Sequence, residues 1–242
     1  MQTLTHTVFI LLLALVRCAL LLPLFAVQWN VQVKKNFLYV LMFFAFVVLD
    51  QVVVQLLLDV IIFEGQRWNW LGKAAECLLA LLFIATTLLT NREAGLDFRI
   101  KHSKQVFGFI VGLLSIIFAI YYFAFGFKNV SGTETFVFQL LMPGIAEELV
   151  FRGVLLGLLN KVYTKGFTVL QTPLGWGVVI TSVLFGLVHS FNFGSYTIDF
   201  NMLYFVSTFS MGLFLAFVKE KSQSLLPGIA CHNLFNLIVT YV

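Results

Sequence analysis

Apolar residues run in long blocks along this chain, with short polar gaps between them. Blocks of helix-spanning length fall at about residues 8–27, 37–63, 74–89, 106–127, 136–159, 174–191, 202–218 and 225–242. A helix rising 1.5 Å per residue needs about 20 apolar residues to cross a hydrocarbon core about 30 Å thick. The pattern predicts an all-α, polytopic transmembrane helix bundle of about eight helices. The third and seventh blocks are short, so seven is the alternative. Trp29, Trp68, Trp70 and Trp176 fall at block ends, where an interfacial aromatic belt belongs.

Composition agrees. The 242 residues are 60% hydrophobic and 11% charged, with mean hydropathy +0.98, against about 25% charge in a soluble domain. The net charge of +4 is spread over many loops, which argues against nucleic acid and for a topology signal. Loops one, three, five and seven carry Lys34, Lys35, Arg92, Arg99, Lys101, Lys104, Lys161, Lys165, Lys219 and Lys221, while the opposite side carries Arg67, Lys73 and Lys128. The first group is expected to be cytoplasmic, with both termini on the far side. The first block lacks a basic leader and a small-residue cleavage site, so it reads as a retained helix. Short loops without an extension suggest a prokaryotic plasma membrane. Cys18, Cys77 and Cys231 lack paired metal-ligand spacing and read as buried free thiols.

Polar residues inside the blocks demand partners. Arg17 and Asp50 lie at similar depths in the first two helices and are expected to form an ion pair. Gln51, Gln55 and Asp59 repeat every four residues, a stripe that should face protein or water. In the longest basic loop, 91–105, residues 96–100 alternate apolar and charged; they either lie along the headgroups or form a plain solvated loop.

The fifth block holds Glu147-Glu148-Leu149-Val150-Phe151-Arg152. Intramembrane acids are costly and are functional candidates by default. Glu148 and Arg152 are i,i+4 and share a face, so the cation should hold the acid ionised. Glu147 points about 100° away. With no cation near it in sequence, desolvation should dominate its chemistry, which suits a general base or acid. Phe185 and His189 in the sixth block are i,i+4, as are His232 and Asn236 in the eighth. An imidazole N–H and an amide N–H aimed into one space can form an oxyanion hole. Both Glu147 and His232 follow the same four letters, Pro143-Gly144-Ile145-Ala146 and Pro227-Gly228-Ile229-Ala230. Proline frees a carbonyl or starts a helix, and glycine permits close approach. Taken singly, a lone intramembrane histidine reads as a helix–helix hydrogen bond and a Glu–Arg pair as structural. The combination on three helices is harder to read as packing.

The ordered pattern E-E-x-x-x-R, F-x-x-x-H and H-x-x-x-N over residues 136–242 resembles the CPBP family, also called Abi, of CAAX proteases and bacteriocin-processing enzymes. Gly95-Leu96 is similar to the linker that precedes the family core. The resemblance implies an intramembrane glutamic endopeptidase. In it Glu147 and His189 activate water, His232 and Asn236 stabilise the oxyanion, and Glu148 and Arg152 are the supporting pair. No cofactor is expected. The alternative is zinc on Glu147, His189 and His232, although the H-E-x-x-H helix motif is absent. Serine (G-x-S-G) and aspartyl (G-x-G-D) intramembrane signatures are absent too.

Residues 1–105 are then an N-terminal membrane segment with a basic loop, and residues 106–242 a catalytic core. The expected partners are a peptide or protein substrate, CAAX-type or otherwise, and the lipid bilayer. Counting from the block ends, His232 and Glu147 lie nearer the cytoplasmic face than His189, which favours a cavity opening toward the cytoplasm. Two other readings compete: a proton-coupled transporter, for which no paired repeat is found, and a bacteriocin-immunity scaffold whose polar groups only pin helices.

Overall fold

The computed structural model describes residues 2–27, 31–58, 60–86, 89–128, 130, 132–194 and 197–242, and within these it leaves out the side chains of 2–8, 31 and 192–198. Trp29 of the expected aromatic belt and Asp59 of the polar stripe lie outside the described residues.

The chain is an all-α bundle. Its helices are α1 (Gln2–Val27), α2 (Val31–Lys35), α3 (Phe37–Leu56), α4 (Trp70–Thr86), α5 (Ser103–Phe125), α6 (Thr133–Glu148), α7 (Leu156–Val162), α8 (Trp176–Ser190), α9 (Met202–Ser222) and α10 (Leu226–Tyr241). A π-helical segment, Leu149–Leu155, joins α6 to α7 through residues of right-handed helical backbone, so the fifth apolar block is one continuous rod. By length and composition Phe9–Val27, Phe37–Leu56, Ser103–Phe125 and Met202–Ser222 are each able to cross a membrane. Their outer faces carry exposed leucine, isoleucine and phenylalanine, including Leu12, Leu38, Val111, Ile116, Phe123 and Leu203. So much apolar surface is uncommon on a soluble monomer and fits lipid contact.

The main core cluster draws on both sides of residue 105. Phe25 of α1, Phe43 and Phe46 of α3, and Ala80 and Ile84 of α4 join Val150, Val154, Leu158 and Leu184 in one buried set. A second cluster packs α5 and α9 with Val178 and Cys231. The start of the loop before α5 is tucked against the bundle. Ala94 is buried, Gly95 takes a left-handed φ of +74°, and its carbonyl accepts from Leu225 N at 2.9 Å. Residues 97–99 beyond it are exposed, Phe98 at 83%, which is compatible with either reading of that segment.

Several expectations need correction. The second helix stops at Leu56 rather than reaching residue 63, and residues 57, 58 and 60–69 are turn-rich and without regular helix. Two antiparallel hairpins occur where only loops were expected: β1 (Lys165–Val169) with β2 (Thr172–Gly175), and β3 (Phe191–Gly194) with β4 (Thr197–Phe200). Arg17 does not pair with Asp50. It donates to Gln51 Oε1 at 2.6 Å and to the Val188 carbonyl at 3.2 Å. Gln51 is one helical step, about 100°, from Asp50, so satisfying Arg17 with the amide turns Asp50 toward α4. Cys18 and Cys231 are buried free thiols as expected, while Cys77 is only half-buried.

Candidate active site

The site is built where α4, the α6–α7 rod, α8 and α10 meet. The ends of α4 and α6 are tied first. Asn69 accepts from Gly72 N at 2.8 Å, the geometry of a helix N-cap, and donates to the Val54 carbonyl of α3. Trp70 donates to Glu134 Oε1 at 2.9 Å and Trp68 to Thr135 Oγ1 at 3.1 Å, while the Trp68 ring stacks on Phe138.

The two Pro-Gly-Ile-Ala segments pack α6 against α10. A Cβ on Gly144 would stand 2.4 Å from Asn233 Oδ1 and 2.8 Å from the Ile229 carbonyl; one on Gly228 would stand 3.2 Å from Glu148 Oε2. Gly144 is therefore required by the Ile229 carbonyl, while a methyl at Gly228 would be tight against Glu148. Asn233 locks the contact by accepting from Gly144 N at 2.8 Å and donating to the Leu141 carbonyl at 3.3 Å. Pro227 begins α10, and Pro143 lies inside α6.

Glu147 and Glu148 close α6, and the π segment begins one residue later. π segments are frequent at functional sites. Arg152 is 1% exposed and the largest fully buried side chain among the described residues. It donates to Glu148 Oε1 at 3.0 Å and to the Gly212 carbonyl of α9 at 3.1 Å, with its guanidinium 4.5 Å over the Phe185 ring. Phe185 in turn lies 4.4 Å from the His189 ring and edge-on to His232 at 5.8 Å. One aromatic ring thus fixes the relative placement of the guanidinium and both imidazoles.

Both histidines present the same nitrogen to Glu147. His189 Nδ1 is 2.8 Å from the Phe185 carbonyl, and a carbonyl only accepts, so Nδ1 carries the proton. His232 Nδ1 is 3.0 Å from Glu148 Oε1. A carboxylate paired to a guanidinium also only accepts, so here too Nδ1 donates. The Nε2 atoms then lie 3.4 Å (His189) and 3.7 Å (His232) from Glu147 Oε2. These separations exceed an ordinary N–H···O bond. Among the described residues Glu147 Oε2 has no direct hydrogen-bond partner despite being buried. An acceptor flanked by two ring nitrogens at this spacing is well placed to hold a bridging water.

Glu147 is not without a cation. Lys73 of α4 lies 2.9 Å from Glu147 Oε1 and 2.8 Å from Glu76 Oε2. The expectation that burial alone governs Glu147 is corrected: its cation comes from 74 residues away in sequence. Lys73 had read only as a loop charge and Glu76 went unremarked. The signal was present, since Lys73 and Glu76 are i,i+3 on one face of an apolar helix. Asp50, Gln51 and Gln55 of α3 join Lys73, Glu76, Glu147 and His189 around a cavity of about 110 Å³, room for several waters.

The uneven depths are resolved by the element ends. His189 is in the last turn of α8, Lys73 in the first turn of α4, and Val47–Gln55 occupy the last turns of α3. The cavity therefore lies toward the end of the bundle where α3 finishes and α4 begins, not toward the basic loops as expected. Of the six residues singled out from sequence, Glu147, Glu148, Arg152, His189 and His232 come together. Asn236 sits half-buried one turn beyond His232, and among the described residues it makes no hydrogen bond to protein. Among the described residues no group of three or more His, Cys, Asp or Glu side chains is arranged to hold a metal ion. Lys73 lies against the carboxylate that the alternative set of Glu147, His189 and His232 would use.

Residues 129–238 match the model of the family described as type II CAAX prenyl endopeptidase Rce1-like. The matched span contains all six residues. No curated protein and no solved structure matches the chain.

Proposed function

We propose that this integral membrane protein, whose residues 129–238 match the type II CAAX prenyl endopeptidase Rce1-like family model, is an intramembrane glutamic endopeptidase acting on peptide or CAAX-type protein substrates. The observation that carries the reading is the convergence of His189 Nε2 and His232 Nε2 on Glu147 Oε2.

In this mechanism a water bridges Glu147 Oε2 and His189 Nε2. The carboxylate takes its proton as the oxygen attacks the scissile carbonyl carbon. The carbonyl oxygen becomes an oxyanion facing His232 and Asn236. His232 can donate from Nε2 only as an imidazolium, because Nδ1 already donates to Glu148. The Glu148 carboxylate accepts from Nδ1 and so fixes which nitrogen faces the oxyanion, and Arg152 keeps Glu148 in place. Collapse of the intermediate breaks the C–N bond, and the proton held by Glu147 passes to the leaving amine. General acid–base help of this kind contributes about 10²–10⁴-fold, and an oxyanion donor about 10²–10³-fold.

The mechanism is written without a metal. Lys73 on Glu147 Oε1 supports that choice. The loop charges support a topology with loops one, three, five and seven in the cytoplasm. The test is cleavage of farnesylated and unmodified CAAX-type peptides by the purified protein in detergent, read by product mass. The reading predicts product with the wild type and none with Glu147→Gln. Equal cleavage by both removes Glu147 from the mechanism, and none by the wild type moves the protein to the transporter or scaffold classes.

A further inference from the structure

The segment ahead of the family match supplies a cation to its catalytic centre. Lys73 Nζ bridges Glu147 Oε1 at 2.9 Å and Glu76 Oε2 at 2.8 Å. Glu76 is 2% exposed, so it is a fixed anchor and not a mobile surface group. Lys73 is itself placed by the Asn69 cap and by the tryptophan contacts that bind α4 to α6. Asp50 of α3 faces the same cavity with a buried Oδ1 that has no hydrogen-bond partner among the described residues. Lys73 is thus the ammonium set among three carboxylates.

We infer that Lys73, braced by Glu76, is a positioning residue for Glu147: it occupies Oε1 and so leaves Oε2 as the oxygen aimed at water and at the two Nε2 atoms. A carboxylate has two equivalent oxygens and a free χ3 torsion. Without a fixed donor on one of them, either oxygen can turn toward either histidine or toward Asp50's side of the cavity. The charge also matters. Glu147, Glu76 and Asp50 repel one another in a medium where Coulomb terms are strong, and Lys73 is the cation in contact with two of them. On this inference residues 1–105 are part of the enzyme's working centre and not only a membrane anchor.

The inference rests on the peptidase reading for its kinetic arm and has a second arm that does not. Lys73→Met, Lys73→Arg and wild type are compared in steady-state cleavage of a quenched CAAX-type peptide. Lys73→Met should lower kcat by at least about 10-fold with KM changed by less than about 3-fold, and Lys73→Arg should recover most of kcat. A lysine that only packs α4 would instead change the active fraction, lower expression and folding together, and not be rescued selectively in kcat. The second arm is a thermal-unfolding cycle of Lys73→Met, Glu147→Gln and the double variant. A direct pair predicts that the double variant loses clearly less Tm than the sum of the singles. Wild-type kcat in folded Lys73→Met, or strictly additive Tm losses, overturns the inference. If the wild type cleaves no peptide, the peptidase reading fails and the unfolding cycle alone decides whether Lys73 holds Glu147.

Discussion

His232 Nδ1 donates to Glu148 Oε1 at 3.0 Å, and the same oxygen accepts from Arg152 at 3.0 Å. One carboxylate oxygen therefore joins α10 to the π segment and fixes which nitrogen of His232 faces Glu147. Glu148 thus orients one catalytic group although it need not touch substrate. Glu148→Gln is expected to lower kcat by about 10²-fold with KM nearly unchanged, because a neutral amide accepts a weaker hydrogen bond from His232 Nδ1 and orients the ring less well. Steady-state kinetics on the purified variant checks this; an unchanged kcat removes Glu148 from the mechanism.

Arg152 is fully enclosed, with partners on two elements. Its truncation to alanine leaves the Glu148 carboxylate buried without its guanidinium, a loss of about 3–5 kcal/mol. Arg152→Lys should rescue little, since an ammonium does not reproduce the planar fork that reaches both Glu148 and the Gly212 carbonyl. Thermal unfolding in detergent should rank wild type well above both variants. Near-equal stability for the lysine variant would mean that the fork geometry is unimportant.

The glycine contacts make a separate claim. Gly144→Ala places a methyl 2.4 Å from Asn233 Oδ1 and 2.8 Å from a backbone carbonyl. Overpacking of this kind costs about 1–3 kcal/mol, and the backbone neighbour cannot swing away. Gly108→Ala, with open space at its Cβ, is the control and should be tolerated. A stable, fully active Gly144→Ala would show that α6 and α10 can separate without loss.

Outside the membrane, Glu93 gives a pH prediction. Burial pushes its carboxyl up, but hydrogen bonds from Lys161 and from Thr90 outweigh this and hold it below the usual range. A depressed folded pKa stabilises above the unfolded value of about 4.3 and loses that stabilisation as pH falls through the folded value. Glu93→Gln should therefore lower stability at neutral pH and flatten the fall below about pH 4.5, so that the two curves converge in acid. An identical acid limb in the two proteins contradicts the pairing.

Much of the bundle was legible because lipid-facing helices have an unmistakable pattern: long apolar runs with tryptophans at their ends. Glu148 with Arg152, Phe185 with His189 and the glycines of the paired Pro-Gly segments were legible because i,i+4 spacing and glycine chemistry are local. What escaped was long-range or needed unusual backbone. The Lys73–Glu147 contact spans 74 residues, and periodicity cannot report it. The Arg17–Asp50 pairing failed because equal depth does not fix helix rotation, and a turn of about 100° exchanged Asp50 for Gln51. The β1–β2 hairpin turns through Leu170 and Gln171, both at positive φ (46° and 63°), without the Asn-Gly or Gly signal that marks such turns. The π segment carries no signature in its letters at all. His189 stands in the last turn of α8, as far from the basic-loop end as its block placed it, and the side of the cavity was misread because Glu147 and His232 were followed instead.

Asn236 makes the sharpest test of the oxyanion assignment. Asn236→Ala should cut kcat by about 10²–10³-fold and leave the Tm unchanged, because among the described residues the side chain makes no protein hydrogen bond that its loss would break. A large Tm loss with proportionate loss of activity would instead make it a packing residue.

The central claim is that Glu147, with His189, activates water without a metal. The most direct measurement is turnover of one quenched CAAX-type peptide by wild type and Glu147→Gln, each before and after exhaustive chelation. The account predicts that wild-type turnover survives chelation within about 2-fold, and that Glu147→Gln is at least about 10²-fold slower under both conditions. Turnover lost to the chelator and restored by zinc, or a Glu147→Gln variant as fast as wild type, would contradict it.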